Sequence, residues 1–200
     1  MEGGGRIFVI SGERVSLVVL SMDDVYTISR WANDKRVTQY LNIFRGVFSV
    51  EYERKWLEKA LMDTDNPTFG IWKNDEERLI GILSLRVDKD NNRALIGLYI
   101  GEVKYWNQGL GTEATILALD YAFNVLNVHK VWLGVFAFNK RALKSYIKAG
   151  FKEVGRLREH VRLSDNQYVD YIVMDILKNE FDMLHKSKIR ELAKDRFRQL

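Results

Sequence analysis

The stretch Trp106-Asn-Gln-Gly109-Leu-Gly111-Thr-Glu-Ala114 decides the fold of this chain. Its two glycines stand directly before a segment whose apolar residues recur at three and four positions, which predicts a loop leading from a strand into a helix. Backbone N–H groups of such a loop converge near the positive end of the helix dipole, so a phosphate or pyrophosphate is a natural ligand. Two glycines before a helix also occur in plain tight turns, and the spacing alone leaves both interpretations open.

Two common nucleotide-binding loops do not fit this stretch. A P-loop needs a lysine followed by serine or threonine after its last glycine, whereas Gly111 is followed by Thr112 and Glu113. A dinucleotide-binding loop follows the first strand of its domain, whereas this loop follows the fourth run of strand character. We therefore expect neither kind of nucleotide site.

The rest of the chain alternates between strand and helix patterns without an internal repeat or a proline-rich linker. This order predicts an α/β (α+β) fold: a mixed, mostly antiparallel sheet of about seven strands with flanking helices and a C-terminal helical tail. The domain is expected at 13–178, after a flexible leader at 1–12 and before a helical extension at 179–200. The predicted strands are 14–20, 68–73, 79–87, 93–101, 130–136, 152–162 and 168–177, and helices are predicted after Ser21, Ser49, Gly111 and Asn139.

The aromatic and apolar positions of these helices give further expectations. The second helix places Tyr52, Trp56, Ala60 and Leu61 at helical spacing, so Trp56 is expected in the core. In the C-terminal extension a loose apolar stripe among alternating charges predicts packing on the domain or on a second subunit. That stripe consists of Phe181, Leu184, Ile189, Leu192 and Phe197.

The composition limits the classes of function. Absence of cysteine excludes a disulfide framework, a thiolate zinc site and a cysteine nucleophile. The three histidines, at 129, 160 and 185, lie in different elements and suggest no metal site. A net charge of +4 is too small to indicate a nucleic-acid partner, and no apolar run is long enough to span a membrane. We expect a cytoplasmic protein that binds no metal, membrane or nucleic acid.

Three blocks in fixed order carry a resemblance to a known family: the glycine loop, the run LDYAFNVLNVHKVWL at 119–133, and Asn139-Lys-Arg-Ala-Leu-Lys-Ser-Tyr146-Ile-Lys-Ala-Gly-Phe151. The chain resembles the GNAT superfamily of acetyl-CoA-dependent N-acetyltransferases. Within it, the chain looks most like the branch that holds ribosomal-protein N-terminal acetyltransferases and spermidine N-acetyltransferases. The resemblance runs from Arg14 to Leu177 and implies a GNAT-like sheet, acetyl-CoA as co-substrate and, by family habit, a homodimer.

The resemblance also implies a role for each motif residue. Tyr146 would be the general acid that protonates the departing CoA thiolate, which suits a phenol with an ordinary pKa of ~10. A tyrosine on an apolar helix face is also a common core residue, so the residue pattern alone leaves both roles open. The pyrophosphate of CoA would be bound by the loop residues Gln108, Gly109, Leu110, Gly111 and Thr112. The pantetheine arm would pair with Tyr99 to Gly101, where two strands splay apart. Asn139 would contact the pantetheine or position the next helix.

The group that takes the proton of the amine is not evident from the motifs. Many relatives have a glutamate on the strand before the loop, but residues 94–101 contain no acid, and Ile96 stands at that place. Glu102, Glu159 and Asp170 are the hypotheses that remain for a distant carboxylate reached through water. The other hypothesis is catalysis that relies on positioning and on the acid alone.

Two acceptors are consistent with the sequence. A polyamine site needs clustered carboxylates, yet residues 37–50, which should line the cleft, have none and include Arg45. A protein α-amine has a pKa of ~7.7 to 8.0, so it is partly neutral and tolerates a weak base. A small amine and a protein or peptide N-terminus therefore both stay open. From another class, a sensor or scaffold that binds acyl-CoA without turnover is the alternative.

Overall fold

The strands of the computed structural model lie close to the predicted runs. The structure describes residues 6–41, 46–164 and 167–185, and within them eight strands form one sheet. Their order across the sheet is β1-β2-β3-β4-β5-β6-β8-β7, and every neighbouring pair is antiparallel except β5 and β6. In chain order the strands are β1 (Phe8–Ser11), β2 (Val15–Val19), β3 (Thr68–Lys73), β4 (Arg78–Asp88), β5 (Arg93–Ile100), β6 (Lys130–Phe136), β7 (Lys152–Ser164) and β8 (Gln167–Leu177).

Local signals in the sequence explain where the helices begin and end. Ser49 accepts a hydrogen bond from the N–H of Tyr52 at 3.1 Å and so caps α3. Gly150 ends α5 with a left-handed φ of 105°, a conformation that glycine adopts without strain. The helices are α1 (Val25–Ala32), α2 (Lys35–Thr38), α3 (Val50–Met62), α4 (Leu110–Asn124) and α5 (Lys140–Ala149), with 3-10 turns at Met22–Asp24 and Val103–Tyr105.

The fold class is confirmed, with one strand more than predicted. The predicted flexible leader includes residues 8–11. These residues instead form a strand that pairs with β2 through Phe8↔Val18 and Ile10↔Leu17, and Ile10 is buried. The N–H of Gly12 donates to the carbonyl of Val15 at 3.0 Å and closes this hairpin. The predicted domain start at residue 13 is therefore too late by one strand.

The sheet separates two hydrophobic cores. The first lies between the sheet and α4 with α5, and it contains Phe69, Phe123 and Phe151. The second lies between the sheet and α1 with α3, and it contains Trp31 and Leu57. Adjacent strand residues face opposite cores because side chains alternate along a strand.

The C-terminal extension begins as part of the first core. Residues 178–185 are helical, and the buried ring of Phe181 packs 5.2 Å from that of Phe123. Leu184 is mostly exposed. The remaining predicted stripe residues, Ile189, Leu192 and Phe197, lie outside the described part of the chain. Among the described residues, no helix combines the length and the apolar character that crossing a membrane requires.

One predicted helix face is wrong. Helix α3 buries Glu53 and Leu57 rather than Tyr52 and Trp56, and Trp56 is 38% exposed. Apolar residues occur on two neighbouring faces of this helix, and spacing alone does not tell which face contacts the sheet. The position of Trp56 matters for the site described next.

The feature that creates a site is the separation of β5 from β6. These two strands pair only through Arg93↔Lys130, Ala94↔Val131 and Leu95↔Trp132. Residues 96–100 of β5 and 133–136 of β6 then diverge, although both segments are fully described. A gap therefore opens in the middle of the sheet, and the first turn of α4 and the helix α5 lie beside it.

Candidate active site

A cavity of about 560 Å³ occupies the gap between β5 and β6. This volume lies in the range of small-molecule and cofactor sites. The cavity is lined by the diverging strands, by the start of α4 together with α5, and by the partly exposed Trp56 of α3.

The glycine loop presents free N–H groups to this cavity. Gly109 has a left-handed φ of 81° and is the N-cap of α4, and the first N–H bonded back to it is that of Glu113, at 3.1 Å. The N–H groups of Leu110, Gly111 and Thr112 precede that bond, and all three residues line the cavity. A helix N-terminus with unpaired donors favours an anion, as predicted for the CoA pyrophosphate.

An ion pair fixes the loop from its outer side. The buried carboxylate of Glu113 accepts hydrogen bonds from the N–H of Arg14 at 2.7 Å, from the N–H of Val15 at 3.2 Å and from Nε of Arg14 at 2.8 Å. The guanidinium of Arg14 also donates to the carbonyl of Gln108 at 2.8 Å. Arg14 therefore neutralises the acid in the first turn of α4 and holds the loop at the same time.

Tyr146 of α5 lines the cavity next to β6. The residue is 8% exposed, and its ring packs edge-on against Phe151 at 5.8 Å. Burial, and secondly the neighbouring Tyr171, raise the pKa of the Tyr146 hydroxyl above its ordinary value. The phenol is therefore protonated throughout the neutral range, and a protonated phenol is what a leaving thiolate requires. Tyr146 is thus a core residue that also lines the cavity.

Tyr171 of β8 completes this end of the cavity and was missed by the sequence reasoning. Its ring covers Gly134 so closely that a Cβ on residue 134 would lie 1.9 Å from the ring. Burial raises the pKa of Tyr171 as well. The sequence signal was a glycine inside a strand, which marks a place where another group approaches the backbone.

Two side-chain contacts join the helices around the site. Asn139 accepts a hydrogen bond from the N–H of Ala142 at 3.1 Å and caps α5, so it positions the helix that carries Tyr146. The hydroxyls of Thr112 and Ser145 lie 2.8 Å apart and connect α4 with α5. The first turn of α4 is thereby tied to the residue beside Tyr146.

The charged side chains on the cavity wall are all basic. The wall includes Arg86, Arg141, Lys144 and Lys148, and none of the described wall residues is an aspartate or glutamate. The guanidinium of Arg141 stacks 3.5 Å from the ring centroid of Trp106, whose indole N–H donates to the carbonyl of Ile100 at 2.7 Å. Such a wall suits a ligand with several phosphates. The sequence signal was the spacing of residues 141, 144 and 148 on one helix face.

The structure brings most of the predicted site residues together, with two exceptions. Gly101 packs against the ring of Trp31 and uses its N–H for the carbonyl of Ile80 at 2.9 Å, on the side away from the cavity. Gln108 turns its side-chain amide toward the carbonyl of Lys104 at 2.9 Å. On the cavity wall lie Tyr99, Gly109, Leu110, Gly111, Thr112, Asn139 and Tyr146.

The three carboxylates considered as proton acceptors lie elsewhere. Glu102 accepts a hydrogen bond from the indole of Trp31 at 3.0 Å and pairs with Arg30 in a separate polar depression. Asp170 accepts a hydrogen bond from the N–H of Glu159 at 2.8 Å. This bond, and secondly the side chain of Arg156, lower the pKa of Asp170. None of the three lies on the cavity wall.

No group of three or more histidine, aspartate or glutamate side chains comes close enough, in the described part of the chain, to hold a metal ion. The diverging strands, the glycine loop with its unpaired N–H groups and the buried phenol of Tyr146 match the site expected of a CoA-dependent transferase. The chain belongs to the GNAT acetyltransferase family, because the model for the "Acetyltransferase (GNAT) domain" matches residues 14–152.

Individual relatives agree with this assignment. The chain is 29% identical over 186 residues to a spermidine N(1)-acetyltransferase of Escherichia coli (strain K12), covering 92% of this chain and 97% of the relative. It is 25% identical over 172 residues to an uncharacterized N-acetyltransferase p20 of Bacillus licheniformis, covering 84% of this chain and 96% of the relative.

Solved structures share the fold. A spermidine N-acetyltransferase from Vibrio cholerae in complex with CoA and spermine superposes with a TM-score of 0.77 at 24% identity, over 85% of this chain and 99% of that chain. At this identity the likeness concerns the fold. Family, relatives and site agree that the protein is an acetyl-CoA-dependent N-acetyltransferase, which transfers an acetyl group from acetyl-CoA to an amine.

Proposed function

We propose that the protein acetylates a small molecule with one primary amine, using Tyr146 as the general acid. The observation that carries the proposal is the buried, protonated phenol of Tyr146 at the border of the gap between β5 and β6. In that gap the thioester of acetyl-CoA would lie between the glycine loop before α4 and Trp56.

The CoA part of the cavity supports this arrangement. The pyrophosphate would accept hydrogen bonds from the N–H groups of Leu110, Gly111 and Thr112 at the positive end of α4. The pantetheine amides would pair with β5 beyond Leu95, where the strand has no partner toward β6. Lys144 and Lys148 of α5 add positive charge near the phosphates.

The chemical step that follows moves two protons. The amine nitrogen attacks the thioester carbonyl carbon, the carbon–sulfur bond breaks, and the hydroxyl of Tyr146 gives its proton to the departing sulfur. The nitrogen loses a proton as the amide forms, and that proton restores the phenol. The acceptor enters as an ammonium ion, so it must first lose one further proton to water or to a carboxylate.

The side chains on the cavity wall and the names of the relatives both bear on the identity of the acceptor. Two of the most similar relatives bear the name spermidine N-acetyltransferase, which supports a small amine. A polyamine carries several ammonium groups, and these require clustered carboxylates. The described wall offers basic and aromatic side chains instead, among them Tyr40, Trp56 and Tyr99, so an acceptor with a single amine and an apolar body fits better.

The test is release of CoA from acetyl-CoA with three acceptors at equal concentration: phenethylamine, spermidine and a short peptide with a free N-terminus. We expect kcat/KM to be highest for phenethylamine. Faster turnover of spermidine would overturn the single-amine proposal and keep the small-amine class. Exclusive turnover of the peptide would move the enzyme to the N-terminal acetyltransferases.

We further propose a cytoplasmic location and a homodimer. The location is supported by the absence of cysteine, and the dimer by the habit of the family. Light scattering of the purified protein tests the dimer, and a mass equal to one chain of 23.4 kDa would reject it.

A further inference from the structure

Glu53 interrupts the apolar face of α3. The face that α3 turns toward the sheet runs through Val50, Glu53, Leu57 and Leu61, and the three apolar members pack on the second core. Glu53 is only 7% exposed. Its carboxylate has no hydrogen-bond or ion-pair partner among the described residues. A leucine there would complete the core, whereas a carboxylate held among apolar side chains opposes folding.

Tyr99 of β5 packs on the same second core as the face of α3 that carries Glu53. Burial, and secondly the negative charge of Glu53, raise the pKa of the Tyr99 hydroxyl. Tyr99 packs edge-on against Trp31 at 6.1 Å and lines the active-site cavity. Glu53 itself does not line the cavity, whereas its neighbours Tyr99 and Trp56 do, so its charge lies behind the wall on the side of these two residues.

Other charged groups on the packed elements are engaged or exposed. On α3, Arg54 pairs with Glu51 at 3.6 Å. On α1, Arg30 pairs with Glu102, and in the preceding 3-10 turn Asp24 pairs with Arg6 at 2.7 Å. Exposed to solvent are Asp23, Tyr26, Lys55 and Glu58.

We infer that Glu53 is a positioning residue that attracts the ammonium group of the acceptor to the Tyr99 side of the cavity. This inference rests on the proposed function. The cavity wall is otherwise basic, which repels an ammonium ion. A negative charge behind Tyr99 offsets that repulsion over a short distance through a poorly screened interior. It acts on the acceptor half of the site and leaves the anion-binding loop unaffected.

The test compares binding of a cation and of its neutral analogue to the CoA-bound protein by calorimetry. The probes are phenethylamine and 2-phenylethanol, and the variants are Glu53→Gln, Glu53→Leu and the control Glu51→Gln on the exposed side of α3. We expect both Glu53 variants to weaken phenethylamine binding about tenfold or more, a change of about 1.4 kcal/mol. Binding of 2-phenylethanol and of CoA stays unchanged, and Glu51→Gln matches the wild type.

A pH profile adds a reading that a purely structural role would not change. Burial raises the pKa of Glu53, and only the ionised carboxylate attracts an ammonium ion. The kcat/KM of every variant falls with the pH because the amine must lose a proton, but that of the wild type falls more steeply than that of Glu53→Gln as the pH drops through this raised pKa. The variant Glu53→Leu is the control for unfolding, because we expect it to melt at a higher temperature than the wild type while it still binds the amine weakly.

Two outcomes would overturn the inference. One is equal binding of phenethylamine by wild type and Glu53→Gln, including the case in which neither binds it. The other is an equal loss for phenethylamine and 2-phenylethanol, which would make Glu53 a packing residue. Failure of the wild type to bind CoA would instead contradict the proposed function, so the two failures are distinguishable.

Discussion

At the scale of single residues, the site depends on a phenol kept neutral by burial. Tyr146 is surrounded by apolar groups of the first core, and this environment disfavours the phenolate. The same side chain therefore packs the core and can supply a proton, and the two roles left open by the sequence are compatible.

Replacing Tyr146 by phenylalanine keeps the packing and removes the proton. We expect kcat to fall by ~10² to 10⁴, the range of general acid catalysis, while KM for acetyl-CoA changes little. Steady-state release of CoA measures both values. The control is Tyr171→Phe, which deletes the hydroxyl of a half-buried tyrosine on the same cavity wall. Loss of activity in both variants alike would argue against a specific role for Tyr146.

At the scale of the elements, the sequence predicted most strands and helix starts because their signals are local. Ser49, Asn139 and Gly150 cap or end helices through contacts with their own neighbours in the chain. The orientation of α3 and the strand at Phe8–Ser11 depend on partners elsewhere in the fold, so the local pattern could not give them. Arg14 was missed as a support of the loop for the same reason, since Glu113 lies 99 residues away.

Arg14 lies in the hairpin between β1 and β2 and holds the glycine loop before α4. Replacing Arg14 by methionine removes the donor to the Gln108 carbonyl and leaves the carboxylate of Glu113 uncompensated near the phosphates. Both effects weaken CoA binding, and we expect the Kd for CoA to rise about tenfold. Calorimetric titration measures it.

The matched control is Arg30→Met. Arg30 is an exposed arginine with a carboxylate partner, Glu102, but it lies away from the loop. Unchanged CoA affinity in Arg14→Met would show that the loop keeps its shape without this ion pair.

At the scale of the whole molecule, the two cores have different tasks. The first core, with α4 and α5, positions the loop and Tyr146, and the second, with α1 and α3, supports Tyr99 from the other side. The helix at 178–185 packs on the first core through Phe181, and none of its residues lines the cavity. A substitution in this helix should therefore lower the stability of the protein without lowering its activity.

Phe181→Ala tests this separation. The side chain is fully buried against Phe123, so its removal should lower the free energy of unfolding by about 3 to 5 kcal/mol. Urea denaturation measures the loss, and kcat below the unfolding transition should stay within twofold of the wild type. Met183→Ala, on the exposed side of the same helix, should change neither. A small loss in Phe181→Ala would mean that the extension contributes little to the core.

The gap between β5 and β6 has a consequence for self-association. Unpaired strand edges are usually templates on which other chains add a strand and aggregate, and most proteins protect them at the rim of a sheet. Here two such edges face each other in the interior, at the floor of a cavity bordered by α4 and α5. These edges are accessible only to a ligand that enters the cavity, whereas the addition of a foreign β-strand needs an edge at the rim of a sheet. The molecule thus keeps backbone available for a thin flexible substrate without offering it to another protein.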